Sequence, residues 1–403
     1  MYLIRKRPAY ILILSFLFLL LSLCNYAYPH VENDEVVYRT LIEKISCRGK
    51  FCILPDLKKY TLQDTPALEI LDRSVYDKPL FFRPPAYAFT AAIFYGIFGD
   101  AVFYFVPPFL YTVMAVLIYE CAYIITGSEK TALKAMIMSI FNPFLLFHAF
   151  RIWTDLFMTV FIFLSFLYAV KFRYEKKLPL YAFLSGLALT VAVLTKYQAI
   201  LVMPLDLFLI LGSLKKENTA PVVLGFFMPF LLLGYWAWYI IPFGPTLQFL
   251  FSNNPTAEEI SKFPFVRYVA SRPSYYYFLS LFTVNPVNLV LFVPVIRALR
   301  SGFRILNITP IVRNIVVPIL IFCFAVLIIF SVIGASGSTF QSRYVLMTQP
   351  FLVILVSLVP LRSVILRAAA VTAVFFTVFV ASVNIIGYNA ELFSLPEMLT
   401  GKN

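Results

Sequence analysis

Long apolar runs follow one another along the chain, separated only by short polar breaks. About 20 apolar residues cross the hydrocarbon core of a bilayer. The runs near 102–126, 132–150, 154–170, 179–195, 198–213, 219–241, 276–296, 314–333, 345–360 and 364–385 are therefore read as spanning helices. An earlier run, from about Ala9 to Leu23, follows Arg5, Lys6 and Arg7 and has the layout of a secretory signal. With many spans behind it, it is read as an uncleaved first helix, which makes about eleven spans. One apolar stretch is left out of this count. Pro84 to Phe98 is about 15 residues long, opens on Pro84-Pro85 as a helix start would, and stops at Gly99-Asp100. It is too short to span and reads as a re-entrant or surface-lying helix.

Composition agrees with the pattern. The 403 residues are 61% hydrophobic and 13% charged, about half the charge of a soluble domain. The fold class is an all-α polytopic membrane protein, built as one bundle rather than linked domains. The net charge of +13 does not point to nucleic acid, because the basic residues sit in small groups between apolar runs. With the N-terminus cytoplasmic, every short inner loop is basic: Arg5 to Arg7, Lys130 and Lys134, Lys171 to Lys177, Lys215 and Lys216, Arg297 to Arg313, and Arg362 with Arg367. That is the asymmetry membrane proteins show. Counting 84–98 as a span would invert everything after it and put Lys171 to Lys177 outside.

The same topology gathers the remaining polar segments on the outer or lumenal face. These are the first outer loop (about 28–101), the break at Arg151-Ile152-Trp153-Thr154-Asp155, the turn Thr195-Lys196-Tyr197, the loop 242–275 and the segment 334–344. Asp34, Glu35, Arg83, Asp155, Lys196 and Arg343 can then converge. Charges at a bilayer boundary are costly unless solvated, paired or used, so a site on this face is the leading expectation.

These residues carry a family resemblance. Glu32-Asn33-Asp34-Glu35-Val36-Val37-Tyr38 resembles the Asp-Glu motif that opens the first outer loop of the GT-C glycosyltransferases. It is most similar to the branch of dolichyl-phosphate-mannose protein mannosyltransferases and lipid A aminoarabinose transferases. Lys78 through Arg83-Pro84-Pro85-Ala86-Tyr87 resembles that branch's basic-Pro-Pro motif, and Arg151 through Asp155 its second outer-loop acid. Leu194-Thr195-Lys196-Tyr197 resembles its Leu-Thr-Lys turn, and Ser342-Arg343-Tyr344 with Gln349-Pro350 its late Arg-Tyr motif. The five motifs occur in the expected order and on one expected side. They imply a catalytic transmembrane module over 1–215, including the outer loop 28–101 and its juxtamembrane helices, with 216–403 completing the bundle. Arg83 departs from the pattern, standing where relatives have His or Lys. The segment 215–335 has no counterpart in the resemblance, which leaves the acceptor open.

The resemblance implies transfer of a sugar from a polyprenyl-phosphate-sugar donor to an acceptor hydroxyl, with inversion at the anomeric carbon. A hydroxyl is a poor nucleophile, so a carboxylate must take its proton. Asp34 is the candidate base, with Glu35 and Asp155 beside it. The leaving lipid phosphate gathers negative charge that fixed cations must offset. Arg83, Lys196 and Arg343 are the candidates, Arg83 through two parallel bonds and Lys196 as a compact charge. Asp155 could orient the acceptor, hold a divalent cation such as Mg²⁺ or Mn²⁺, or steady a basic residue. The acceptor can be protein, lipid or glycan.

Each residue also has a structural reading. Asp34 and Glu35 can be solvated acids at a loop start, Asp155 a helix cap, Lys196 an interface snorkel and Arg343 a helix-end anchor. Glu120 and Asp206 lie inside apolar runs, where an ionisable group can be functional or, equally, a paired structural one, and neither is counted as a site residue. His30 and His148 lie in separate segments, so no His-rich metal centre is expected, and no Walker or dinucleotide glycine motif occurs. Cys47 and Cys52 in the outer loop can form a disulfide or stay as thiols, while Cys24, Cys121 and Cys323 read as packing residues. A transporter or lipid flippase is the competing class. Such proteins often show paired halves meeting at the midplane, whereas here there is no such symmetry and the charges crowd one face.

Overall fold

The computed structural model describes residues 8–27, 33–46, 86–175, 178–214, 219–240, 277–278, 281, 285–291, 310–335 and 342–359, with 368, 371–372, 374–375 and 379. Among these residues the structure is helical, without strands. Helix α1 (Pro8–Ala27) is followed by α2 (Asn33–Ser46), α3 (Ala86–Phe98), α4 (Ala101–Thr126), α5 (Glu129–Ile140), α6 (Pro143–His148), α7 (Thr154–Tyr174) and α8 (Pro179–Val193). A 3₁₀ turn, Tyr197–Val202, leads into α9 (Met203–Leu211). Then come α10 (Thr219–Phe227), α11 (Leu231–Ile240), α12 (Pro310–Ala335) and α13 (Gln349–Leu358).

Among the described residues, four helices are long and apolar enough to cross a membrane: α1, α4, α7 and α12. They support an integral, multi-pass membrane protein. Several runs read as single spans are broken, and the breaks fall at prolines. Asn142 ends the run near 132–150 by accepting hydrogen bonds from the Phe144 and Leu145 N–H groups, with Pro143 as the first residue of α6. Pro229 sits in the 3₁₀ turn Met228–Phe230 that divides the run near 219–241. Pro350 follows the 3₁₀ turn Ser342–Thr348 at the start of α13. Proline lacks an N–H and favours a first helical turn or a break, although α4 carries Pro107 and Pro108, and α12 Pro318, inside unbroken helices. The runs near 276–296 and 364–385 lie largely outside the described residues, as do Cys47 and Cys52.

The short stretch before Asp100 behaves as expected from its length. Helix α3 has 13 residues, about 20 Å at the α-helical rise, against a core of about 30 Å. Its first half is buried through Tyr87, Ala88, Ala91 and Ala92, while Ile93, Phe94, Ile97 and Phe98 are exposed. Gly99, at φ 56°, turns the chain into α4.

Helix α7 is buried along most of its length and packs against α4 and α8. Helices α8 and α10 approach so closely that a Cβ on Gly186 would lie 1.9 Å from the Phe226 carbonyl oxygen. Only glycine fits there. Glu120 and Asp206, the two carboxylates inside apolar runs, both have partners: Lys171 Nζ lies 3.3 Å from Glu120 Oε1, and the Ser165 hydroxyl 2.5 Å from Asp206 Oδ2.

Candidate active site

Helix α2 is amphipathic, and Glu35 lies on its buried face together with Tyr38, Leu41, Ile42 and Ile45. This spacing of three and four residues is the stripe a helix turns inward. The flank of that face carries Arg39, which pairs with Glu43 at 3.0 Å and with Asp100 at 3.4 Å. The helix is thereby tied to the loop that joins α3 and α4.

Glu35 is wholly sealed from solvent (0% exposed). Its Oε1 accepts the Ile152 backbone N–H at 2.9 Å, and its Oε2 lies 3.7 Å from the Arg151 guanidinium. Arg151 is 2% exposed and lies over the rings of Phe147 and Trp153, 5.0 and 5.4 Å from their centroids. The Glu35 carboxylate therefore holds the irregular backbone between α6 and α7, where the helical ladder cannot satisfy the N–H groups. Tyr38, one turn on, lies 3.3 Å from the Thr154 hydroxyl and packs edge-on against Tyr87. Tyr87 packs in turn on Phe157. Burial, and then the Glu35 charge, push the Tyr87 phenol up, so it stays neutral.

Asp155 occupies the first turn of α7 and is fully buried. It is not the helix cap, which is Trp153. Its Oδ1 accepts from Lys196 Nζ at 2.7 Å. Lys196 stands in extended backbone between α8 and the 3₁₀ turn, with its side chain 16% exposed. Just before it, the Leu194 carbonyl accepts the Ala86 N–H at 2.9 Å. That bond places the residue directly after Arg83-Pro84-Pro85 against the Leu194-Thr195-Lys196 turn.

The structure thus brings Glu35, Asp155 and Lys196 to one end of α7, with α3 beginning beside them. Asp34 lies in the first turn of α2, about 100° around the axis from Glu35; its side chain is outside the described residues. So are Arg83 as a whole and the Arg343 side chain, although the backbone of the turn Ser342–Thr348 is described. Among the described residues no three His, Cys, Asp or Glu side chains are grouped to hold a metal ion. The Glu120–Lys171 pair sits toward the other end of α7, 16 residues and about 24 Å beyond Asp155 along the helix. Arg151, Tyr38 and Thr154 join the cluster without having been assigned roles from the sequence. A signal for Arg151 was present, since a lone guanidinium between Phe147 and Trp153 must have a partner.

Residues 82–238 match the family model described as dolichyl-phosphate-mannose-protein mannosyltransferase. The fold is similar to that of ArnT from Cupriavidus metallidurans in two crystal structures. The apo form gives a TM-score of 0.61 at 14% identity, covering 87% of this chain and 59% of that one. The form bound to undecaprenyl phosphate gives 0.64 at 13% identity, covering 99% of this chain and 82% of that one. No curated protein matches the chain. The family match and the shared fold bear out the resemblance to the GT-C branch and its all-helical polytopic fold.

Proposed function

We propose that the chain is a membrane glycosyltransferase that moves a sugar from a polyprenyl-phosphate donor to an acceptor hydroxyl at the outer or lumenal face, with inversion. The observation that carries this reading is the Lys196–Asp155 pair at 2.7 Å, set beside Glu35 and the start of α3 by four discontinuous segments. A site assembled from loop ends on one side of a bundle suits a donor whose lipid tail stays in the bilayer and whose phosphate lies at its surface. The ArnT crystal structure with undecaprenyl phosphate supports a ligand of that class. In this reading residues 1–215 hold the site and 216–403 complete the bundle.

The chemistry assigns a role to each group. Asp34 takes the acceptor proton as the hydroxyl oxygen bonds to the anomeric carbon. The bond from that carbon to the phosphate oxygen breaks on the opposite face, and the polyprenyl phosphate leaves with the electron pair. Lys196, Arg83 and Arg343 offset the charge that gathers on the phosphate. Asp155 holds Lys196 in place rather than meeting the acceptor. Glu35, already engaged by Ile152 and Arg151, fixes the helix on which Asp34 stands and takes no proton itself. The acceptor is a protein, lipid or glycan hydroxyl.

The test incubates the purified protein in detergent with a panel of labelled polyprenyl-phosphate sugars and candidate acceptors. Label should pass to an acceptor from one donor and not from its free sugar. No transfer from any polyprenyl-phosphate sugar, with lipid movement intact in vesicles, would favour a flippase instead.

A further inference from the structure

Gln349 is the first residue of α13 and directly follows the turn that carries Arg343. Its side chain is fully buried, and its Oε1 lies within reach of three amide donors: Asn142 Nδ2 at 3.2 Å, Asn288 Nδ2 at 3.4 Å and Asn285 Nδ2 at 3.5 Å. All three asparagines are themselves buried. The Gln349 Nε2, by contrast, has no hydrogen-bond partner among the described residues. A carbonyl oxygen has two lone pairs, so the three amide groups share it, with Asn142 the nearest donor.

The three donors belong to segments with different tasks. Asn142 caps α6, whose far end delivers Arg151 and Asp155 to the site. Asn288 also donates to the Leu281 carbonyl at 2.7 Å, and the Asn285 carbonyl oxygen accepts the Val287 N–H at 3.3 Å. Both therefore order the 285–291 turn. Gln349 joins these segments to the turn Ser342–Thr348. Val345, Leu346 and Met347 in that turn are fully buried, which sets its depth in the bundle. Apolar packing is weakly directional, whereas the hydrogen bonds that converge on the Gln349 oxygen are directional and favour one arrangement.

We propose that Gln349 is a positioning residue for the donor phosphate, its side-chain oxygen holding the 342–348 turn, and with it Arg343, in register with the segment that carries Asp155. The proposal rests on the glycosyl-transfer reading and states how the C-terminal half joins that site.

Two substitutions separate the oxygen from the bulk of the side chain. Gln349→Met keeps length and loses the acceptor; Gln349→Glu keeps an acceptor. Binding of a polyprenyl monophosphate to the purified full chain should weaken about tenfold in Gln349→Met, the range of one or two lost neutral hydrogen bonds. It should stay within about threefold in Gln349→Glu. Arg343→Ala, costly in the wild-type background, should cost less than about threefold more once Gln349→Met is present, because the two act through one contact. A purely structural amide would show none of this coupling. Wild-type binding in Gln349→Met, equal loss in Gln349→Glu, or losses that multiply with Arg343→Ala would each overturn the proposal. If Gln349→Met does not fold, the Gln349→Glu measurement decides alone: retained binding supports the proposal and a tenfold loss overturns it. A wild-type chain that binds no polyprenyl phosphate would instead overturn the glycosyl-transfer reading, and this proposal with it.

Discussion

Lys196 and Asp155 meet at 2.7 Å across 41 residues of chain, with the carboxylate buried and the ammonium at the rim of the site. The pair has two separable consequences. A carboxylate left alone in the interior is costly, and a lysine left alone loses its orientation.

Lys196→Ala should weaken donor use by about ten- to 150-fold, the equivalent of about 1.5–3 kcal/mol for a charge-assisted contact. It should also lower thermal stability, because the buried Asp155 carboxylate loses the Lys196 ammonium. Adding Asp155→Asn should restore much of the stability and none of the donor affinity. Calorimetry and donor titration on the two single variants and the double read both effects. Donor affinity regained in the double variant would remove Lys196 from the phosphate site.

The pair of Glu35 and Arg151 should behave differently. Both groups are sealed from solvent, so removing one charge takes from the other a buried contact, at a cost of up to about 3–5 kcal/mol. Glu35→Gln keeps an acceptor for the Ile152 N–H but removes the carboxylate charge that faces Arg151. Arg151→Met does the reverse. Each should lower the unfolding temperature and the yield of active protein together. The double variant should regain stability if the pair is structural, measured by thermal unfolding in detergent. Normal stability in Glu35→Gln with activity abolished would return that carboxylate to the chemistry.

The helical, membrane-spanning character of the chain is legible in its apolar runs, and the cluster of Glu35, Asp155 and Lys196 in short polar motifs at their ends. What is less legible has a physical cause. Hydropathy averaged over a run hides single prolines, so the breaks at Pro143, Pro229 and Pro350 are absorbed into apparent spans. Arg151 draws its partners from aromatic rings and from a carboxylate more than a hundred residues earlier, as does the Ile152 N–H bond to Glu35 across 117 residues. Gln349 is harder still: an uncharged amide in an apolar segment gives no local signal, and its partners lie 61 to 207 residues away.

The proposed sidedness rests on the basic short loops. In a background without the native cysteines, single cysteines near Asp34, Asp155, Lys196 and Arg343 should react with an impermeant maleimide from outside intact cells. Cysteines near Lys176 and Arg300 should react only after permeabilisation. Opposite sidedness for positions near Asp34 and Asp155 would end the proposal of a common site.

The base itself is the sharpest test. Helix α2 is held by Glu35, Tyr38 and Arg39, so a change at Asp34 should leave its placement intact. Asp34→Asn keeps size and most polarity while removing the basic oxygen. Turnover should fall by about 10²–10⁴, the usual contribution of a general base, with polyprenyl-phosphate binding and thermal stability close to wild type. That separation of rate from binding distinguishes Asp34 from Glu35, where rate and stability should fall together. It also distinguishes an enzyme from a lipid flippase, which has no acceptor proton to remove and should keep moving lipid after the substitution. Near-normal sugar transfer by the Asp34→Asn protein would pass the role of base to another carboxylate. Asp155 would be the first to examine, because Lys196 meets it at the site and Lys196→Ala in the same protein would then change the rate rather than donor affinity alone.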